Sequence, residues 1–90
     1  MIIRILGDAI YDVPPADMPV VEQLDATLAQ ALEDDDDSTF SSALADLIGE
    51  IQHTGRVLEA DEARTSELVV PFAGATIKDV RALLDDDASS

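Results

Sequence analysis

Cysteine is absent from this 90-residue chain, and lysine and histidine occur once each, as Lys78 and His53. Without thiols there is no disulfide, no thiolate metal site and no thiol redox chemistry. Basic residues are scarce altogether: five Lys and Arg stand against 20 Asp and Glu, for a formal charge of -15. Nucleic acids and anionic lipid headgroups recruit basic patches, so a uniformly acidic domain is repelled by both. Long apolar runs are missing too. The opening run Met1 to Leu6 is broken by Arg4 and is too short for a signal-peptide core, and nothing approaches the roughly 18 apolar residues of a spanning helix. The expectation is a soluble, cytosolic protein without direct membrane insertion.

What is present is ordered apolar sequence, 47% of the chain, arranged in clusters between acidic loops. That is more than an acidic disordered segment carries, and the length suits one small domain, expected over residues 1–84. The acids are spread over every loop, which resembles the surface habit of extreme halophiles. The charge reads as an adaptation to salt.

Periodicity predicts an α+β fold. Two β-branched runs, Met1 to Leu6 and Ala9 to Val13, flank Gly7-Asp8 and predict an N-terminal β-hairpin. A two-residue loop sets Leu6 opposite Ala9, Ile5 opposite Ile10 and Arg4 opposite Tyr11. Ile3, Ile5 and Ile10 then share one face, and Ile2, Leu6, Tyr11 and Val13 surround Arg4 on the other, so both faces need covering; a longer loop shifts this register. Pro14-Pro15 ends the ladder, since neither residue donates a backbone hydrogen bond.

Asp17 is placed to cap a first helix with Pro19 in its first turn and Val21, Leu24, Leu28 and Leu32 as its stripe, fading at Glu33. A second begins at Ser38 behind Asp35, Asp36 and Asp37, with Phe40, Leu44, Leu47, Ile48 and Ile51 as its stripe and Gly55 as its C-terminal stop. The short connection makes the pair an antiparallel helical hairpin over one face of the sheet. From Arg56 to Glu67 the chain reads mostly as flexible loop, with Val57 and Leu58 as possible strand residues. A third short strand, Leu68 to Pro71, precedes Thr76-x-x-Asp79, a capping box opening a C-terminal helix with Ile77, Val80, Leu83 and Leu84 inward. Residues 85–90 read as a disordered acidic tail.

No constellation of catalytic, cofactor-binding or metal-binding residues emerges. The Glu33 to Asp37 run fails the calcium-loop frame: counting from Asp34 or Asp35, the sixth position is Thr39 or Phe40 where glycine is required. Asp37-Ser38-Thr39 looks like the Asp-Ser-Leu attachment site of acyl carrier proteins, yet Thr39 replaces the leucine and strands precede it. Ser38 reads as a helix N-cap, and modification there is the minor alternative. His53 has no partner for a metal or a dyad and reads as a residue at the favourable end of a helix dipole. Arg4 reads as a cross-strand cation-π or ion-pair partner beside Tyr11.

The opening Met1-Ile2-Ile3-Arg4-Ile5-Leu6-Gly7, the strand Leu68-Val69-Val70-Pro71 and the closing run Ala75 to Leu84 together resemble the PspA-associated protein family, PspAA, in its haloarchaeal form. Members of that family, from archaea and actinobacteria, share a hairpin start, an acidic two-helix middle and a strand-Pro-helix end. The resemblance implies a non-enzymatic adaptor or regulator of phage shock protein A, a coiled-coil, ESCRT-III-like protein of membrane stress that meets anionic lipid through an amphipathic helix. It implies a PspA-like partner docked on an apolar surface left by the hairpin or the later strand, for which Ile2, Arg4, Tyr11, Val69 and Phe72 are the candidates. The segment Arg56 to Glu67 departs from the family pattern. A self-associating domain pairing its strand edges is the alternative.

Self-repulsion among 15 excess negative charges weakens the compact state in dilute buffer, and molar salt shortens the Debye length to about 3 Å. The midpoint of urea unfolding is therefore expected to rise steadily from dilute to molar KCl. A midpoint indifferent to KCl contradicts the salt-adapted reading.

Overall fold

Leu6-Gly7-Asp8, rather than Gly7-Asp8 alone, makes the first turn of the chain. In the computed structural model, which describes residues 1–59, 66 and 68–82, the Asp8 N–H donates to the Ile5 carbonyl at 3.0 Å and the Ile5 N–H to the Ala9 carbonyl at 3.1 Å. Gly7 takes φ +76° at the turn position where a type II turn demands a positive value. The strands β1 (Ile2–Ile5) and β2 (Ile10–Asp12) consequently pair Ile2 with Asp12, Ile3 with Tyr11 and Arg4 with Ile10. This is one residue away from the two-residue-loop register. A one-residue slip exchanges the faces: Tyr11 and Val13 join Ile3 and Ile5 inside, and Ile10 moves out beside Arg4.

Two further strands complete a mixed sheet of order β3-β2-β1-β4. Strand β3 (Arg56–Leu58) runs antiparallel to β2, and β4 (Leu68–Val70) runs parallel to β1. Val57 and Leu58, possible strand residues in a segment read mostly as loop, thus belong to a strand, which takes its order from the ladder of β2 and not from its own apolar pattern. The sheet is mixed, not a hairpin with an appended strand. The remaining loop expected before β4, apart from Glu59 and Ser66, lies outside the described residues, as do Leu83, Leu84 and the tail 85–90.

The helices lie on one face. A 3₁₀ turn, Pro15–Asp17, leads into α1 (Met18–Glu33), with Pro19 in its first turn as expected. Asp17 occupies the cap position but its side chain makes no capping bond, because the preceding turn already delivers the chain in helical geometry. Helix α1 buries Val21, Leu28 and Ala31, with Leu24 and Leu32 half-buried at the margins. Helix α2 (Asp37–Thr54) buries the whole expected stripe and Ala43 as well. Residues 77–82 form α3 behind the reciprocal capping box: the Thr76 N–H donates to Asp79 Oδ2 at 3.0 Å and the Asp79 N–H to Thr76 Oγ1 at 3.2 Å.

The two C-terminal stops exchange the roles their residue types suggest. After α1, Asp35 adopts φ +58°, its N–H donates to the Leu32 carbonyl, and the Asp36 N–H donates to the Ala31 carbonyl at 2.9 Å. This is a Schellman motif with Asp where Gly is usual. Gly55, after α2, is extended at φ -86°, ψ 156°. It is glycine for space: a Cβ there stands 2.6 Å from the Ile51 carbonyl oxygen, 3.1 Å from Tyr11 Cβ and 3.2 Å from Val13 Cγ2.

One core results, with Ile3, Ile5, Val13 and Val70 from the sheet meeting Val21, Phe40, Leu44, Leu47 and Ile51. Among the described residues no polar or charged side chain is buried. The fold measures 17 Å through its thinnest axis, room for a single sheet and a single helix layer. Among the described residues no helix lies on the second face of the sheet.

Three substitutions report on this arrangement in urea unfolding. Leu47→Ala, at a fully buried site, is expected to cost about 2–5 kcal/mol. Gly55→Ala is expected to cost about 1–3 kcal/mol, through overpacking rather than through φ. Gly49→Ala, in the exposed middle of α2 with nothing within 4 Å of the added methyl, is expected to gain about 0.5–1 kcal/mol.

Candidate functional site

Alternation along each strand sends one set of side chains into the helices and the other outward. On the outward side the ladder aligns Val69 of β4, Arg4 of β1, Ile10 of β2 and Leu58 of β3 across all four strands. Ile2 lies on the same side, opposite Asp12. Val69 is 53% exposed and Arg4 is exposed, while Ile2, Ile10 and Leu58 are half-buried by their neighbours. The result is an apolar strip with one cation near its centre.

The five residues expected to meet a partner are therefore divided by the pleat. Ile2, Arg4 and Val69 share the open face. Phe72, 37% exposed, sits past the end of β4, where Gly7 of the hairpin turn would bring a Cβ within 3.6 Å of it. Tyr11 is on the helix side and only 6% exposed. Its hydroxyl donates to Asp8 Oδ2 at 3.5 Å, and Gln52 Nε2 donates to the same oxygen at 2.8 Å, which ties the hairpin turn to α2. Burial, and after it the Asp8 carboxylate, raise the tyrosine pKa above 10.0. With Tyr11 inside, the expected Arg4-Tyr11 contact does not form, and Arg4 makes no ion pair among the described residues. Ile10 and Leu58 stand beside Arg4 on the outer face only in the observed register.

The acidic run between the helices holds structure together. Asp36 caps α2, accepting from the Thr39 N–H at 3.2 Å and from Thr39 Oγ1 at 2.6 Å. The cap is thus Asp36 and not Ser38, which lies exposed in the first turn. Asp35 pairs with Arg81 of α3 at 3.2 Å, and Arg81 also donates to the Leu32 carbonyl at 3.2 Å. Asp35 and Arg81, with Asp37, Ile77, Lys78 and Ala82, line a cleft of about 370 Å³ between α3 and the α1–α2 turn. Among the described residues no three acidic or imidazole side chains converge to hold a metal ion. His53 lies exposed in the last turn of α2. No helix among the described residues is long and apolar enough to cross a membrane.

These features define a small α+β domain with helices on one side of a mixed sheet and an apolar strip on the other. A family model described as PspA-Associated protein matches residues 1–89, and the chain belongs to that family. The family is described by an association, not by a reaction. No curated protein and no solved structure matches the chain.

The hydrogen bonds from the Thr39 side chain, then from its backbone, hold the Asp36 carboxyl below 3.8. A carboxylate whose pKa is depressed by folding stabilises the fold above its unfolded pKa, and that contribution disappears as pH falls through the folded value. Asp36→Ala is therefore expected to unfold at a lower temperature than the parent at neutral pH. The gap between the two melting temperatures should close as acid protonates Asp36, and a gap independent of pH contradicts the assigned cap.

Proposed function

We propose that this chain is a non-enzymatic cytoplasmic adaptor or regulator, of haloarchaeal type, in the membrane-stress response, and that it docks onto a PspA-like coiled-coil protein. Residues 1–84 form the docking domain. One observation carries the reading: the only apolar strip that crosses a whole layer of the described fold, Val69-Arg4-Ile10-Leu58, has no helix over it. A row of apolar side chains on an outer sheet face, rimmed by polar residues such as Asp12 and Arg56, is the pattern of a docking surface. The family's association with PspA supplies the class of partner.

Charge supports the same direction. A domain of -15 attracts the basic regions of a membrane-remodelling coiled coil and is itself repelled by anionic lipid, so it engages the protein and leaves the bilayer alone. The long-range attraction sets the rate of encounter, and the apolar strip supplies the affinity that survives in high salt.

Titration calorimetry with the full-length PspA-like protein of the same genome, in molar KCl, tests this. The parent is expected to bind. Val69→Asp should weaken binding about tenfold or more, as loss of a central apolar anchor does. Val20→Asp, a residue 50% exposed on α1, should leave it unchanged. No binding by the parent, or equal losses from both variants, overturns the docking face.

A further inference from the structure

We propose that two copies of this chain pair through the free edge of β3, in a two-fold dimer centred on Val57 that joins their sheets into one. The inference concerns a sheet edge and not the outer face, so it stands apart from the adaptor reading.

Backbone direction identifies the kind of partner. The Val13 N–H donates to the Met1 carbonyl at 2.9 Å and the Met1 ammonium donates to the Val13 carbonyl at 2.8 Å, so Val13 turns its backbone groups to β1. Two residues away, Tyr11 does the same, and Ile10 and Asp12 between them turn theirs to β3. Their partners Leu58 and Arg56 spend their own groups on β2, which leaves the N–H and C=O of Val57 directed away from the sheet. Among the described residues no strand lies beyond β3. The chain that follows β3 has to reach β4 at the opposite edge, a course that leads away from this one. Val57 shares the helix side with Tyr11, yet it is 54% exposed, so the helices stop short of the edge. A donor and an acceptor on one edge residue, beside an uncovered β-branched side chain, fit an extended strand.

The two edges of the sheet are not equivalent. The Val70 carbonyl accepts from the Leu6 N–H at 3.0 Å, so Val70 faces β1 and the outward positions of β4 are Val69 and then Pro71, which has no N–H to give. Pro71 blunts that edge. Strand β3, Arg56-Val57-Leu58, has neither proline nor lysine to do the same.

Charge and symmetry select a second copy as the occupant. From Ile51 to Leu58 the sequence holds no Asp or Glu and carries His53 and Arg56, so two chains of -15 meet here with little local repulsion. Molar salt screens the rest. A two-fold axis normal to the sheet at Val57 lets this residue exchange two hydrogen bonds with Val57 of the second copy. The same operation sets Arg56 opposite Leu58 of the second copy, and Glu59 opposite Gly55 of the second copy, so no like charges oppose each other. The two Val57 side chains meet on the helix side, and both helix layers lie on one side of the joined sheet.

Sedimentation equilibrium of the full chain in molar KCl, with amide exchange followed by NMR over a range of protein concentration, tests this. The parent is expected to sediment as a dimer, and its Val57 N–H to exchange more slowly as concentration rises. Val57→Pro deletes the outward N–H without touching the ladder to β2, and Val57→Lys sets a charge at the axis against its own copy. Each is expected to weaken association about tenfold or more, as loss of a pair of hydrogen bonds does. Circular dichroism should show both variants folded, and Val57→Lys, a change at an exposed site, carries the test alone where the proline variant unfolds. Val20→Asp, at an exposed site on α1, should leave association unchanged. A parent that stays monomeric at every concentration overturns the inference. So do Val57 variants that dimerise as tightly as the parent, and so does a dimer that Val69→Asp dissociates and Val57→Lys does not.

Discussion

The pairing of Ile3 with Tyr11 is the constraint on which the rest of the structure depends. It places Ile3, Ile5, Tyr11 and Val13 on one side of the hairpin, and all four are buried. The helices have no other apolar surface of that size against which to close. Gly55 then passes so near Tyr11 and Val13 that no side chain fits, which brings the end of α2 directly into β3 along the β2 edge. Gln52 and Tyr11, both donating to Asp8, tie the turn that sets the register to the helix that covers it. Turn, register, helix approach and edge strand are consequently one cooperative unit.

The same pairing decides what remains outside. Arg4 and Ile10 face outward as neighbours because Ile3 and Tyr11 face inward. Among the described residues no charged side chain is buried, so the acids described there shape the surface and the ends of helices, not the core. At the α1–α2 turn Asp35 tolerates a left-handed backbone and holds Arg81, while Asp36 caps the next helix. Acidity in this one short segment thus both terminates one helix and caps the next. The apolar strip stands apart from both: among the described residues the carboxylate beside it is Asp12, which has the Met1 ammonium at 3.6 Å.

Much of the fold was legible because it is local. The stripe Phe40, Leu44, Leu47, Ile48 and Ile51 is buried as its spacing requires, Pro19 stands in a first turn, and Thr76 and Asp79 form their reciprocal cap. Each of these features depends on residues three or four apart. Gly55 was legible as an interruption but not as to its reason, since the atoms that exclude a Cβ include Tyr11 and Val13, more than 40 positions earlier. Of the residues expected to meet a partner, Ile2, Arg4 and Val69 share the outer face of the sheet and Tyr11 lies inside. The inward place of Tyr11 and the outward places of Ile10 and Leu58 were not legible, because they follow from the register and from a ladder between β2 and a three-residue strand.

Composition and short-range periodicity therefore determined by themselves that this is an acidic, thiol-free α+β domain with two amphipathic helices, a hairpin start and a strand-to-helix end. They also showed that few basic residues are available to meet a polyanion. Tertiary structure alone decided the three-residue turn, the mixed order β3-β2-β1-β4 and the face on which each strand residue lies. The physical reason is the two-residue repeat of the pleat. A single extra residue in a turn leaves every local preference satisfied and still reverses inside and outside, and only the packing of distant side chains distinguishes the two outcomes.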